Sequence, residues 1–422
     1  MPSRRRLLYV SPVVPAITGN GLAMRAGMVL QALAERYQIS LLVVPLYPPF
    51  GSPIPAVIAS LCRQSAVVPP HATGPRTPAH PPRPVLSWLG RSRRGEIVRM
   101  DERVVEAGKV FRRVPFDVIH VFRLSMLPFA RPYLDTTHTA RRQLDLDDIE
   151  SSTRRVLAAL YRLRGIQQMA EIEEAEAVRS AALEREILQR FDRVYVCSEG
   201  DRDRLIAGAR AQVCVLPNAV RMPPPLPPPD THALFTFLFV GTLGYFANVD
   251  ALQYFCAGMV PLIRHSAPGD FRVTIVGTGG TEILGGLAQV PEVHIVGEVP
   301  DVRPWYRDAH AVVVPLRAGG GTRIKVLEAF SYGRPVVSTS TGIEGIDARH
   351  AEHVLVGDTP EAFAAHCLRL MAEPDLADRL ARNAFSLFMR AYTPEAVTRA
   401  LAACAELPRQ EWRSNDESHA PT

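Results

Sequence analysis

Three glycines, a threonine, two cations and one carboxylate fall within ten positions, Gly319 to Glu328, of the stretch PLRAGGGTRIKVLEAFSYGRPVV (Pro315 to Val337). Gly319, Gly320 and Gly321 leave backbone N–H groups unhindered. If Thr322 caps a helix that runs to about Tyr332 and stops at Gly333, those donors align with the positive end of the helix. Arg323 and Lys325 add full charge, so the loop has the makings of a diphosphate site, with ~1–2 kcal/mol from the helix end and ~1.5–3 kcal/mol per charge-assisted hydrogen bond. Lys325 is one of only two lysines, with Lys109, against 46 arginines. Glu328 lies about one turn further on. A carboxylate repels phosphate but accepts hydrogen bonds from paired hydroxyls, as on a ribose; the plain alternative is a surface pair with Lys325. Diphosphate plus ribose implies a nucleoside diphosphate.

Other residues invite chemistry on their types alone. His120 stands in DVIHVF, where it is either a hydrogen-bonded core residue or, towards the end of a strand, a catalytic group. DLDDIE (Asp145, Asp147, Asp148, Glu150) resembles a metal cluster, yet holding Mg²⁺ would need further oxygen ligands. Arg141, Arg142, Arg154 and Arg155 flank it, which favours a salt-bridged helix entry. TIVGTGGTEI lacks the last glycine of a dinucleotide fingerprint, since Glu282 occupies that place, and reads as a tight strand-to-helix turn.

The elements that must position these groups alternate. Leu7–Ser11, a helical stretch from Leu22 to Tyr37 and the apolar run Ile39–Pro45 form a strand, helix, strand unit whose first turn carries Gly19-Asn20-Gly21. Residues 45–84 hold 12 prolines and form an irregular excursion. PFDVIHVF and DRVYVCS read as further buried strands, with one long helix from Arg154 to Arg190 between them. Seven prolines between Pro217 and Pro229 mark a linker. The rhythm then restarts with FTFLFVGTL, FRVTIVGTGG, VHIVGEV, AVVVPL and PVVSTS. The expected class is α/β: two doubly wound Rossmann-like domains facing each other across a cleft, with ligands outside the carboxyl ends of the strands. The boundaries are 1–216 for the first domain, 217–233 for the linker, 234–390 for the second domain, 391–407 for a helix crossing back onto the first, and 408–422 for a disordered tail.

At 422 residues, two domains are the default for the chain. Six cysteines without a C-x-x-C pair argue against a zinc site or a disulfide framework, and nothing at the amino terminus reads as a signal peptide; both favour a cytoplasmic location. A net charge of +5 is modest, and no nucleic-acid partner is expected. Residues 76–113 hold ten basic and four acidic residues, which raises a peripheral contact with anionic membrane alongside the plain reading of solvated charge.

The segment GGGTRIKVLEAFSYGRPVVSTSTGIEGI, with FVGTLGYFANVDALQYF, VHIVGEVPDVRPWYRDAHAVVVPL, SEGDRDRL and VLPNAV, resembles the GT-B glycosyltransferases of family 4, the retaining group-1-like enzymes. The resemblance implies a nucleotide-sugar donor held by the second domain, a glycan or lipid-linked acceptor held by the first, and no required metal or other cofactor. It places Glu328 at the ribose hydroxyls, Gly241 and Thr242 beside the diphosphate, the loop Val299 to Asp301 along the base, and Gly21 near the donor from the other side. Arg323 and Lys325 would neutralise the leaving group, and His120 is the remaining catalytic candidate. One departure stands out: Gly320 occupies the place of the first Glu of the family's E-x7-E element. The rival functions are a nucleotide-sugar epimerase or hydrolase of the same fold, and a noncatalytic nucleotide-sugar-binding protein.

Overall fold

The computed structural model of the chain describes residues 4–47, 50–68, 102–136, 140–230, 233–279, 284 and 286–406. The excursion from residue 69 onward, most of the basic stretch, Glu282 and the tail 408–422 lie outside these described residues.

Two parallel sheets organise the molecule. The first contains β1 (Arg6–Ser11), β2 (Gln38–Val43), β3 (Cys62–Val67), β4 (Val118–Phe122), β5 (Arg141–Asp147), β6 (Arg193–Val196) and β7 (Gln212–Val215), in the order β3-β2-β1-β4-β5-β6-β7. The second contains β8 (Phe235–Val240), β9 (Phe271–Val276), β10 (Val293–Gly297), β11 (Ala311–Val314), β12 (Val336–Ser338) and β13 (Leu355–Val356), in the order β10-β9-β8-β11-β12-β13. Around the first sheet lie α1 (Gly21–Ala34), α2 (Ala56–Ala59), α3 (Glu102–Val110), α4 (Leu127–Thr136), α5 (Glu150–Leu163), α6 (Gln167–Arg190) and α7 (Glu199–Ile206). The second half adds α8 (Phe246–Tyr254), α9 (Val260–Ser266), α10 (Arg303–Asp308), α11 (Ile324–Ser331), α12 (Pro360–Ala372), α13 (Pro374–Ala391) and α14 (Pro394–Glu406). These are two Rossmann-like domains, as the alternating apolar strands predict.

Burial on both faces of each sheet explains why the strands are nearly all apolar. Along β1, Leu8 and Val10 enter one core while Leu7 and Tyr9 enter the core on the opposite face, the period-two alternation of a strand. Val397, Leu401 and Cys404 of α14 pack into that second core, so the carboxyl-terminal helix lies against the first domain. The strand order reverses between β1 and β4 in one sheet and between β8 and β11 in the other. Open α/β sheets bind ligands at such switch points.

Three expectations change. The proline-rich excursion contains a regular edge strand, β3, because its Pro residues flank rather than interrupt Cys62–Val67. DLDDIE begins inside a strand: Gln143, Leu144, Asp145 and Leu146 are buried in β5, whose charged residues conceal its strand pattern. The long helix is two, broken where Gly165 takes φ +72°, a value glycine adopts without strain.

The run Phe246–Ser266, continuous through a π-type turn, is long and apolar enough to cross a membrane by composition, yet 61% of its window is buried inside the protein. That degree of burial is the pattern of a core helix.

Candidate active site

The carboxyl ends of β8 and β11 bring the predicted second-domain residues together. Gly241 follows β8, and its N–H donates to the Val276 carbonyl at 3.0 Å. A Cβ on Gly277 would lie 1.6 Å from the Gly241 carbonyl oxygen, so the second glycine turn packs backbone to backbone under the first. That contact gives the turn in TIVGTGG a structural role.

Lys325, in the first turn of α11, reaches this place from the other strand. Its Nζ donates to Asn248 Oδ1 at 2.8 Å, and Asn248 Nδ2 donates to the Thr242 carbonyl at 2.8 Å. The ammonium also lies 4.0 Å from the centre of the Phe239 ring, a cation–π contact. It leaves no room beside Gly241, where a Cβ would stand 2.7 Å from Nζ. Burial, with the charge of Arg323 next, pushes the Lys325 amine down to about 7.

Glu328 is the second charge of this helix, half-buried. The Tyr306 hydroxyl donates to its Oε2 at 3.3 Å, and Tyr306 stacks on Tyr332 with ring centres 4.4 Å apart. Burial raises the Glu328 carboxyl to about 7, against the opposing pull of the Tyr306 hydrogen bond and Lys325. Lys325 directs its ammonium to Asn248 instead, and no ion pair within 4.0 Å joins it to Glu328. Tyr332 is pushed up to about 12 by burial and then by Glu328 and Asp301, which places the Val299 to Asp301 loop in the same neighbourhood. Val299 packs against the second-domain core, and Asp301 Oδ1 accepts the Arg303 N–H at 2.9 Å.

The glycine loop departs from expectation in two ways. Thr322 does not cap the helix: α11 starts at Ile324 with Arg323 before it, and Thr322 Oγ1 is buried without a hydrogen-bond partner. Gly319 (φ +147°) and Gly321 (φ +61°) bend the chain so that the helix begins one residue later than a Thr322 cap requires. Arg323 does not project as a free cation either. It is 7% exposed, donates to the Gly320 and Gly321 carbonyls and approaches Glu344 at 3.7 Å, so it braces the loop from within. Lys325 is the cation at the glycine turn.

Gly21 is where the first domain meets this helix. Asn20 caps α1, its Oδ1 accepting the Ala23 N–H at 2.9 Å, and a Cβ on Gly21 would approach Ile324 Cγ1 to 2.9 Å. The α5–α6 hairpin supplies more of the contact. Tyr161 stacks on Phe246 with centres 4.1 Å apart, Arg164 pairs with Asp250 at 2.5 Å, and Arg204 of α7 pairs with Glu344 at 2.8 Å.

His120 is a correction. Its ring is fully buried in mid-β4, stacked on Tyr9 at 4.9 Å with Nδ1 3.3 Å from Gln143 Oε1, and burial lowers it to about 4. It is a core histidine without access to the cleft. The DLDDIE carboxylates are ion-paired, though with partners remote in sequence. Asp145 pairs with fully buried Arg25 of α1 at 2.7 Å, Asp147 with Arg123 at 3.0 Å, and Asp148 with Arg123. Of the flanking arginines proposed as partners, Arg154 pairs with Glu150 at 2.8 Å. Sequence reasoning missed Asn248, Tyr306, Arg123 and Tyr245. Only Asn248 and Tyr245, just beyond the first glycine turn, carried a positional signal.

Comparison with known proteins agrees with this architecture. Residues 235–373 match the family model for glycosyl transferases group 1. The whole chain superimposes on GT-B proteins: sucrose-phosphate synthase from Thermosynechococcus elongatus (TM-score 0.68, 16% identity, 95% of this chain and 98% of that one) and Anabaena HepE, solved with UDP and glucose (TM-score 0.64, 14% identity, 96% and 100%). An uncharacterized 44.6 kDa protein in the cps region of Klebsiella pneumoniae is 26% identical over 168 residues, 38% of this chain. The chain spans 43% of the length of that curated relative. The protein has the GT-B fold, and its second domain is similar to glycosyl transferases group 1.

Proposed function

We propose that the protein is a retaining glycosyltransferase of family 4 that moves a sugar from a nucleotide-diphosphate donor to a hydroxyl acceptor, in the synthesis of a polysaccharide, lipid-linked glycan or glycolipid. One observation carries this reading: Lys325, its Nζ fixed at the first glycine turn by Asn248, and Glu328, one helical turn on and hydrogen-bonded by Tyr306, are two half-buried charges on one helix whose ionisation is displaced by desolvation. A folded protein tolerates two such desolvated charges where a charged, hydroxyl-bearing ligand completes their environment.

In this reading the diphosphate lies against the Gly319 to Gly321 loop and Lys325, and the ribose hydroxyls donate to Glu328. The base lies along Val299 to Asp301. The leaving diphosphate is neutralised by Lys325 while its oxygen removes the acceptor proton on the same face of the sugar. With His120 sealed in the core, the proton has no route through that imidazole. The site asks for no metal and no further cofactor. We place the protein on the cytoplasmic side, with an acceptor at or near an anionic membrane surface.

The test is a thermal-shift screen of UDP-, GDP-, ADP- and TDP-sugars, with UDP donors first because HepE was solved with UDP. One base class should raise the melting temperature in a concentration-dependent way, as mass action requires. No shift with any of them would remove the proposal.

A further inference from the structure

The space beside Gly320 belongs to the opposite domain. A Cβ on Gly320 would lie 1.8 Å from Thr153 Oγ1, in the first turn of α5, and 2.5 Å from Asp148 Oδ2, in the turn from β5 into α5. The backbone of Gly320 is outside the left-handed region, so its neighbours rather than its φ demand glycine. Where a side chain at 320 would project, a carboxylate from the first domain already stands.

Asp148 is held there firmly. Its side chain is 13% exposed, the Thr153 hydroxyl donates to Oδ2 at 3.1 Å, and Arg123 pairs with Oδ1. Arg123 follows β4 at the switch point of the first sheet, and both it (φ +75°) and Asp147 (φ +64°) adopt positive φ, two of three non-glycine residues to do so among the described residues. Such conformations persist where the surroundings fix a functional geometry. Across the cleft, Arg323 lies against Gly319 and Gly320 with Nε and Nη2 lacking hydrogen-bond partners although it is 7% exposed. Tyr245, past the first glycine turn, is within electrostatic reach of Asp148, Arg323 and Arg123 together. The groups of both domains therefore converge beyond the diphosphate loop, on the side where a sugar attached to that diphosphate would project.

We propose that Asp148 recognises the donor sugar, its carboxylate accepting hydrogen bonds from ring hydroxyls while Arg123 holds it in orientation. This rests on the nucleotide-sugar reading above. It makes the donor site bipartite: the second domain holds the nucleoside diphosphate, and the sugar is read when the first domain lies against it.

Calorimetry separates the two parts, with matched probes: UDP and UDP-glucose, GDP and GDP-mannose, ADP and ADP-glucose, TDP and TDP-glucose. For the responding base, Asp148→Asn should keep the affinity for the bare diphosphate within about twofold while losing at least about tenfold for the nucleotide sugar. Asp147→Asn also loses a carboxylate paired with Arg123, but its side chain is turned towards Arg25 and Cys197; it should preserve the wild-type ratio. An unchanged ratio in Asp148→Asn, or an equal loss for both ligands, would overturn the assignment. Wild-type protein that binds none of the bare diphosphates would overturn the underlying reading instead.

Discussion

Glu328→Ala weakens nucleoside diphosphate binding by ~1–3 kcal/mol, a loss of roughly 5- to 150-fold, with the protein still folded. Glu328 is half-buried on α11 with Tyr306 as its hydrogen-bond donor, and its remaining acceptor capacity is available to a ligand. Truncation leaves two desolvated ribose hydroxyls without acceptors, which costs more than a contact exchanged for water. Glu328→Gln keeps one acceptor oxygen and should lose less. Calorimetric titration with the responding diphosphate reads both. Wild-type affinity in the alanine variant would end the ribose assignment.

Lys325→Met should act on the chemical step more than on binding. The ammonium sits at the glycine turn, held by Asn248 and the Phe239 ring, and meets the charge that develops as the sugar departs. Removing one such group costs about 10²–10³ in kcat, while ground-state affinity falls by far less. The pH profile gives a second readout. Burial brings the free amine to about 7, so kcat/KM should fall as pH rises above about 7 and the amine loses its proton. Bound diphosphate favours the charged form, so the same limb in kcat moves to higher pH, and binding above pH 7 takes up a proton. Glu328, raised to about 7, provides the opposing limb: kcat/KM falls as pH drops and the carboxylate is protonated. Lys325→Met should erase the alkaline limb and keep the acid one. A variant with wild-type kcat and an intact alkaline limb would contradict the role.

The doubly wound architecture was readable because parallel strands buried on both faces must be apolar, and FTFLFV, AVVV and VIHVF advertise that. β5 was not, since RRQLDLD hides a central strand under charges whose partners, Arg25 and Arg123, are remote in sequence. The loop at 319–325 was legible as a place and misjudged in detail: spacing suggested a Thr cap and two free cations, but backbone bends at Gly319 and Gly321 moved the helix start and turned Arg323 inward. His120 shows the limit of strand-end reasoning, because which face of a sheet a residue occupies decides access, and here that face packs on Tyr9. The role of Gly320 was beyond any local pattern. It depends on Asp148, 172 positions earlier, standing across the domain boundary.

Proton NMR of the first-formed sugar is the most direct test of the central claim, with the responding nucleotide sugar incubated with enzyme and either a pooled acceptor extract or water as acceptor. The account predicts release of the nucleoside diphosphate and a product that carries the donor's anomeric configuration, lost in Lys325→Met. A product of inverted configuration, or a stably bound donor that is never turned over, would contradict it.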